Sequence, residues 1–182
     1  MSDFSSLAGQ LLVSLPSMQG DYFSHTVTLL IEHNEDGAFG LVINKPLDSE
    51  LSDLLVDSEL HCPEGIRVLE SGPVEQHRLF FLHTSDQVFE NSHPINDHVS
   101  LTTSMDVFDA RGETLPAHLL AGLGYAGWSG GQLEEEIRAD VWLVVPYLND
   151  IIFDVPFEER PEFAARAIGV DLNLISPNPG HG

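Results

Sequence analysis

Two runs of apolar residues separated by a polar turn predict a β-hairpin between Leu29 and Pro46. The second run, Phe39 to Ile43, has no polar side chain, as expected for a strand covered on both faces. Gly40 within this run indicates a bulge or a close approach by another backbone segment. The hairpin places Lys45, the only lysine of the chain, at the end of its second strand.

Apolar runs and alternating patterns predict further strands along the chain. These strands are expected at Gln10 to Leu15, Thr26 to Glu32, Arg78 to Thr84, Val99 to Thr102, Leu119 to Tyr125, and a pair formed by Val141 to Val145 and Ile151 to Val155. Turn residues separate most of these segments, and the pattern contains neither an internal repeat nor a clear linker. We therefore expect residues 1–182 to form one domain that mixes strands and helices.

Helices are expected where capping residues precede apolar residues at helical spacing. A short helix after Pro46 would be capped by Asp48 or Ser49 and carry Leu51, Leu54 and Leu55 on one face. The other predicted helices run from Thr103 or Ser104 to Arg111, ended by Gly112; from Gly130 to Ala139, with Ser129 and Gln132 at capping-box spacing; and from near Pro161 to Gly169.

The strongly acidic composition disfavours two classes of partner. Twenty-nine acidic and seven basic side chains give a formal charge of −22, which repels nucleic-acid phosphates and anionic membrane surfaces. The six arginines are dispersed and form no basic stripe. We therefore expect neither direct binding to nucleic acid nor binding to a membrane.

The single cysteine and the absence of a long apolar run indicate the compartment. Cys62 cannot form an intrachain disulfide, which favours a reducing cytoplasm. No cation precedes Lys45, so the sequence lacks the positive region of a secretory signal, and no apolar run approaches the roughly 18 residues of a membrane span. A soluble cytoplasmic protein is expected, and its oligomeric state is not indicated.

The glycines from Gly122 to Gly127 match the pattern of a dinucleotide-binding turn, GLGYAG. However, Ser129 gives the next helix its own start, and Glu134 to Glu136 would repel a pyrophosphate at that helix. Close packing and tight turns are the preferred explanation of these glycines, so no cofactor is expected.

Four residues form the candidate binding surface: Glu32, His33, Lys45 and Trp128. An ammonium at a strand end can bind an anion or, when desolvated, act as a base, although an exposed lysine is the common case. Trp128 could contact a ligand, but a place in the core is favoured. The histidines near other acidic residues, such as His93, lack a recognised ligand spacing, so no metal is expected.

Several ordered blocks resemble the AlgH/YqgE family: EHNEDGAFGLVINKP (32 to 46), SGPVE (71 to 75), RLFFLHT (78 to 84), TTSMDV (102 to 107) and GYAGWSGGQLEEEI (124 to 137). Ser71 and Met105 depart from the family's usual glycine and arginine. The resemblance implies a compact α+β fold in which helices surround a bifurcated, partly barrel-like sheet. It also implies a bacterial cytoplasmic protein, labelled a transcriptional regulator, with no catalytic residue to carry over.

Three functional hypotheses follow. No catalytic constellation is recognisable, so the leading hypothesis is a regulator that acts through an unidentified protein partner rather than by direct DNA binding. The alternative is a small-molecule-binding protein or enzyme that uses the surface near Glu32, His33 and Lys45. The third is a dinucleotide binder through Gly122 to Gly127.

Overall fold

The computed structural model describes residues 4–16, 23–55, 62, 64–104 and 115–175. The strands among these residues are β1 (Leu11–Ser14), β2 (Val27–Asn34), β3 (Gly37–Val42), β4 (Pro46–Glu50), β5 (Arg67–Glu70), β6 (Val74–Thr84), β7 (Ser92–Pro94), β8 (Val99–Thr102), β9 (Leu119–Ser129) and β10 (Trp142–Val145). The α-helices within the same ranges are α1 (Leu51–Leu54), α2 (Gln132–Arg138) and α3 (Arg160–Ala167). Each of these helices is too short to span a membrane.

These strands form one curled sheet with the shape of a half-barrel, which confirms the expected α+β class. The strand order is β10-β1-β2-β3-β9-β6-β8-β7, and β4 and β5 branch from it. Neighbouring strands are antiparallel except for β5 and β9, which are parallel. The sheet is bifurcated because one edge of β9 pairs first with β5 and then with β3.

The branch point is a close crossing of two backbone segments. The carbonyl of Ser71 accepts a hydrogen bond from the Val42 amide at 2.8 Å, and the Ser71 amide donates to the Leu123 carbonyl at 2.9 Å. A Cβ on Gly72 would lie 1.9 Å from the carbonyl carbon of Tyr125, so no other residue fits there. Ser71 and Gly72 therefore join β3, β5 and β9 at one place, which we call the strand crossing.

The glycine motif from Gly122 to Gly127 lies inside the extended strand β9 rather than in a turn before a helix. Gly124, at a φ of +78°, lies against the Gly72 carbonyl, and a Cβ on Gly122 would lie 2.5 Å from Ser71 Oγ. The expected close packing is confirmed for Gly122 and Gly124. The phosphate-binding turn that a dinucleotide binder requires is not formed by these residues.

The predicted hairpin is present as β2 and β3, and it contains a bulge. Leu30 pairs with Gly40 and Glu32 pairs with Phe39, which leaves Ile31 as an extra residue in β2. A Cβ on Gly40 would lie 2.6 Å from the Leu29 carbonyl oxygen, so the predicted close approach at this glycine is confirmed.

The segment from Ile151 to Val155 is not the strand that the pattern predicted. β10 pairs with β1 instead, and the amides of Asp154 and Val155 both donate to the Asp150 carbonyl in a turn. Ile151 and Ile152 are completely buried in this turn, which explains the apolar run. A short buried run has the same composition in a strand and in a compact turn, so the pattern alone does not separate them.

A buried arginine holds this turn in place. Arg160, which is 2% exposed, donates to the carbonyl oxygens of Ile43, Ile152 and Val155. Burial lowers its pKa to about 10, and its guanidinium carbon lies 4.4 Å from the Phe157 ring centroid. Arg160 thus links the start of α3, whose predicted Pro161 and Gly169 boundaries are confirmed, to the end of β3.

Two predicted helices begin later than expected because strand pairing extends further. β4 pairs with β5 up to Glu50, so Glu50 rather than Asp48 or Ser49 precedes α1, and Leu54 is 44% exposed. Ser129 pairs with Gly37, so α2 begins at Gln132 after Gly131, whose φ is +81°. The helix predicted from Thr103 or Ser104 to Arg111 lies mostly outside the described residues.

A chain of hydrogen bonds joins β6, β7 and β8. The Phe89 amide donates to Ser92 Oγ, and Ser92 Oγ lies 2.7 Å from Thr102 Oγ1. Thr102 Oγ1 lies 2.7 Å from Nε2 of the completely buried His83, whose Nδ1 lies 2.9 Å from the Thr84 carbonyl. Because that carbonyl can only accept a hydrogen bond, Nδ1 carries a proton. Burial lowers the pKa of His83, which favours the neutral ring.

The contact between Ser71 and Gly122 predicts a coupled pair of substitutions. Gly122→Ala should lower the free energy of unfolding by about 1–3 kcal/mol, because the new methyl group overlaps Ser71 Oγ. In a Ser71→Gly background the same substitution should cost nothing further, since the overlapping atoms are gone. Urea unfolding of the four proteins gives the coupling energy. Additive effects would contradict this account of the strand crossing.

The buried His83 predicts a specific dependence of stability on pH. Because the pKa of His83 is lowered in the folded protein, its imidazole binds a proton more readily in the unfolded chain than in the folded one. The neutral ring therefore contributes fully to the unfolding free energy above the ordinary pKa of about 6.5, and this contribution declines as the pH falls below that value. His83→Gln should therefore flatten the fall in unfolding free energy between about pH 7 and pH 5. The exposed His77, changed in the same way, is the matched control and should keep the original slope. Equal slopes for both variants would contradict the prediction.

Candidate functional site

The face of the sheet that carries the largest hydrophobic core also contains an open cavity with a volume of about 980 Å³, which we call the sheet groove. Six consecutive strands, β2, β3, β9, β6, β8 and β7, contribute to it. The lining residues are Ile31, Glu32, Asn34, Asp36, Gly37, Ala38, Phe39, Val74, Arg78, Phe80, His93, Pro94, Ile95, Leu101, Thr103, Tyr125, Gly127 and Trp128. An apolar cavity with a few polar groups is the usual form of a binding site.

Three aromatic rings form the floor of the sheet groove. The ring of Tyr125 meets Phe39 edge to face with centroids 5.8 Å apart, and it meets Phe80 in the same way at 6.1 Å. These rings come from the central strands β3, β9 and β6 and pack against the main core. The floor is therefore rigid, and its edge-to-face contacts are favourable for aromatic pairs.

The two sides of the sheet groove carry opposite charges. Glu32 and Asp36 lie on the β2–β3 hairpin, whereas Arg78 and His93 lie on β6 and β7. β2 and β6 are three strand spacings apart, about 14 Å along the sheet. The acidic side therefore does not pair directly with the basic side.

Arg78 lies over the aromatic floor at the basic side. Its guanidinium carbon is 5.1 Å from the centroid of the Phe80 ring, and its Nη1 is 3.2 Å from Oε2 of Glu75. Both members of this ion pair are more than half exposed. Such a pair contributes little to stability, so the position of Arg78 over the ring is easily changed.

Gly127 leaves the middle of the sheet groove open. It pairs with Phe39, which in turn pairs with Glu32, so the three residues form one row across the sheet. A Cβ on Gly127 would make only an ordinary contact, at 3.6 Å from Tyr125 Cε2. Packing thus requires glycine at Gly72 and Gly40 but not at Gly127.

The bulge at Ile31 separates two residues of the predicted binding surface. Ile31 and Glu32 both face the sheet groove, and His33 then faces the opposite side of the sheet, next to α2. If β2 alternated regularly through Ile31, with no bulge, Glu32 would face away from the groove. Glu32 and Trp128 both line the groove, whereas His33 and Lys45 do not.

His33 makes contacts that assign it a structural position. Its Nε2 lies 2.5 Å from Oε1 of Glu134 on α2, and its Nδ1 accepts a hydrogen bond from the Leu7 amide at 2.9 Å. Since Nδ1 is an acceptor, Nε2 carries the proton that is donated to the carboxylate. The hydrogen bond from His33 lowers the pKa of Glu134. His33 thereby fixes the segment before β1 to β2 and α2.

Lys45 lies beyond the other end of β3. Its backbone carbonyl accepts a hydrogen bond from the Glu70 amide, and the residue is half-buried. It lies six positions after Phe39, a span of about 20 Å in an extended chain. The predicted surface is thus divided between the sheet groove, the α2 side of the sheet and the β3 end.

Trp128 is part of the core, as the sequence favoured. It is 7% exposed and packs with Trp142, Leu133 and other apolar residues on the α2 side. Its indole N–H donates to Oε1 of Glu136, which also accepts from the indole of Trp142. Its contribution to the sheet groove is therefore limited to the margin.

Other groups of polar residues have geometries that suit structure rather than catalysis. The hydroxyl of Thr102, next to His83, is completely buried and out of reach of a substrate. A smaller cavity contains Asp86 and His118, and the hydrogen bond from Thr84 lowers the pKa of Asp86. Among the described residues, no three side chains of His, Cys, Asp or Glu are arranged to hold a metal ion.

The sequence analysis did not identify the aromatic floor or Arg78. One local signal was available, because Tyr125 and Gly127 are two residues apart on β9 and therefore share a face. The remaining floor residues come from strands that are distant in sequence. Their convergence depends on the strand order, which no local pattern specifies.

Comparison with known proteins identifies relatives that extend over nearly the whole chain. Residues 11–173 match the family model DUF179, described as AlgH-like. A UPF0301 protein of Shewanella sp. strain ANA-3 is 42% identical over 184 residues, which cover 97% of this chain and 98% of the relative. A UPF0301 protein of Saccharophagus degradans is 41% identical over 183 residues, covering 98% of this chain and 90% of the relative.

Solved structures share the fold. The solution structure of the AlgH protein from Pseudomonas aeruginosa has a TM-score of 0.78 and 38% identity, with 100% of this chain and 99% of that chain covered. A crystal structure of a Corynebacterium diphtheriae protein has a TM-score of 0.75 at 22% identity, covering 96% and 93%, and shows the fold alone. By its family model and by the identity of its full-length relatives, this chain belongs to the AlgH-like UPF0301 family.

Proposed function

We propose that this chain is a binding protein that acts through a protein partner, and that an extended segment of the partner lies in the sheet groove. The groove is lined by residues of six neighbouring strands and combines an aromatic floor with polar sides. Interfaces commonly place aromatic residues at their centre and polar residues at their rim. Its surface accordingly suits a segment with apolar and polar side chains.

The observation that carries the proposal is Gly127. Glycine weakens a strand, and one that no neighbouring atom requires often marks a place where another chain or a ligand approaches the backbone. Gly127 lies in the groove floor and pairs with Phe39 on the neighbouring strand. A Cβ on Gly127 would contact no backbone atom within 4 Å. Any larger side chain there would extend over the floor and occupy the space of a bound segment.

The charge of the chain supports a protein rather than a nucleic acid as the partner. A formal charge of −22 opposes association with phosphates, so a role in transcription would be indirect, through contacts with another protein. The single cysteine supports the cytoplasm as the compartment of this interaction.

A small molecule in the same groove is the second candidate. Glu32 and Trp128, two of the four residues of the predicted surface, both line the groove, and this favours the second candidate. His33 and Lys45 lie elsewhere, so the histidine and the lysine predicted for this surface do not line the groove. We therefore rank it below the protein partner.

Closing the middle of the sheet groove should abolish binding of a peptide. End-blocked peptides of about seven residues with alternating apolar and basic side chains should bind the unaltered protein, and Gly127→Leu should weaken binding by about tenfold or more, because the leucine overlaps the bound segment. Fluorescence anisotropy of labelled peptides measures the affinity.

Val88→Leu is the matched control, because it enlarges a residue that is 78% exposed and lies outside the groove. It should leave the affinity unchanged, and both variants should retain the thermal midpoint within a few degrees. Equal binding by the Gly127→Leu variant, or no binding of any peptide by the unaltered protein, would refute the proposal.

A further inference from the structure

We infer that the sheet groove recognises an arginine side chain of the partner segment, and that Arg78 of this chain occupies part of that site until the partner binds. This inference rests on the proposed function and specifies its chemistry. The partner's guanidinium would lie on the aromatic floor formed by Phe39, Tyr125 and Phe80, close to the carboxylate of Glu32.

The contact of Arg78 with Phe80 is an intramolecular example of this interaction. The guanidinium lies 5.1 Å from the ring centroid, and the Glu75 carboxylate lies 3.2 Å from Nη1. A cation over an aromatic face with a carboxylate beside it is a favourable arrangement. The floor thus already accepts a guanidinium at one of its three rings.

The rest of the floor offers the same combination to a second cation. Tyr125 contacts both Phe80 and Phe39, and Glu32 is the direct cross-strand neighbour of Phe39. Glu32 and Asp36 are both exposed on the acidic side, about three strand spacings from Arg78. The excess of carboxylates over the whole chain further raises the local concentration of cations.

Arginine fits this site better than lysine does. A guanidinium is planar, stacks on aromatic rings and is less strongly hydrated than an ammonium. A carboxylate ligand would have Arg78 and His93 as its partners and would have to approach a strongly acidic protein. The acidic side and the aromatic floor together favour the cation.

The exposed position of Arg78 makes it a competitor for the site. Its ion pair with Glu75 is held only at the surface, with side-chain exposures of 53% and 54%. A bound arginine would meet repulsion from the Arg78 charge and would have to share the aromatic floor with it. Removal of Arg78 should therefore strengthen the binding of a cationic segment and weaken that of an anionic one.

Three end-blocked peptides that differ at one central position test the inference. The central residue is arginine, its neutral isostere citrulline, or glutamate, and the flanking residues are alanine and valine. For the unaltered protein, the arginine peptide should bind about fivefold to tenfold more tightly than the citrulline peptide, and the preference should decrease at high salt.

Two substitutions then locate the site. Arg78→Ala should tighten binding of the arginine peptide by about threefold or more, whereas Glu32→Gln should weaken it by a similar factor. Arg166→Ala and Glu64→Gln are the matched controls for Arg78→Ala and Glu32→Gln, because they remove the same charges at exposed positions outside the groove. They should change the affinity for the peptide only as far as the net charge of the protein does. Since Arg78 and Glu32 are exposed, folding should be unaffected.

The outcomes separate this inference from the proposed function. Equal binding of arginine and citrulline peptides, or tightest binding of the glutamate peptide together with weaker binding after Arg78→Ala, would overturn the inference and leave the groove as a peptide site. A failure of all three peptides to bind would overturn both. Tightening that occurs equally with Arg166→Ala would show a general charge effect and refute the role of Arg78.

Discussion

The fold depends on how closely Ser71 and Gly72 cross β9. At this point the atoms of Gly72 lie so near the Tyr125 carbonyl that any Cβ would overlap it, and the Ser71 hydroxyl donates to the Gly124 carbonyl at 2.6 Å. Because the crossing is so close, β5 and β3 can both pair with the same edge of β9. The sheet therefore divides there, and the sheet groove lies over the strands β3, β9 and β6 beside the division.

The same crossing explains why Tyr125 is available at the groove. Gly124 has a left-handed φ, and the register between β6 and β9 shifts at this point from Val74 opposite Tyr125 to Leu79 opposite Leu123. Residues 75–78 therefore lie outside the regular ladder and form the exposed part of β6 that carries Arg78. The branch point of the sheet and the chemistry of the groove are thus consequences of one packing arrangement.

Local features of the fold were predictable, and non-local ones were not. The hairpin, the β8 boundaries and the ends of α3 follow from alternation, turn residues and the positions of proline and glycine. The turn at Ile151 was mistaken for a strand, because its hydrogen bonds to Arg160 are tertiary. Glu32 and Trp128 line one cavity, whereas His33 faces the other side of the sheet because of the bulge, which adds a residue without a clear signal in composition.

The bulge changes which residues of the eight-residue strand β2 face each side of the sheet. Before Ile31 the side chains of β2 alternate between the largest core and the core on the α2 side. At the bulge this alternation shifts by one residue, so that the Glu32 carboxylate faces the sheet groove and the His33 imidazole faces α2. Deletion of Ile31 would restore the regular alternation of β2 and keep Glu32 on the groove face and His33 on the α2 side. It would also remove from the groove the apolar side chain that now lies next to Glu32.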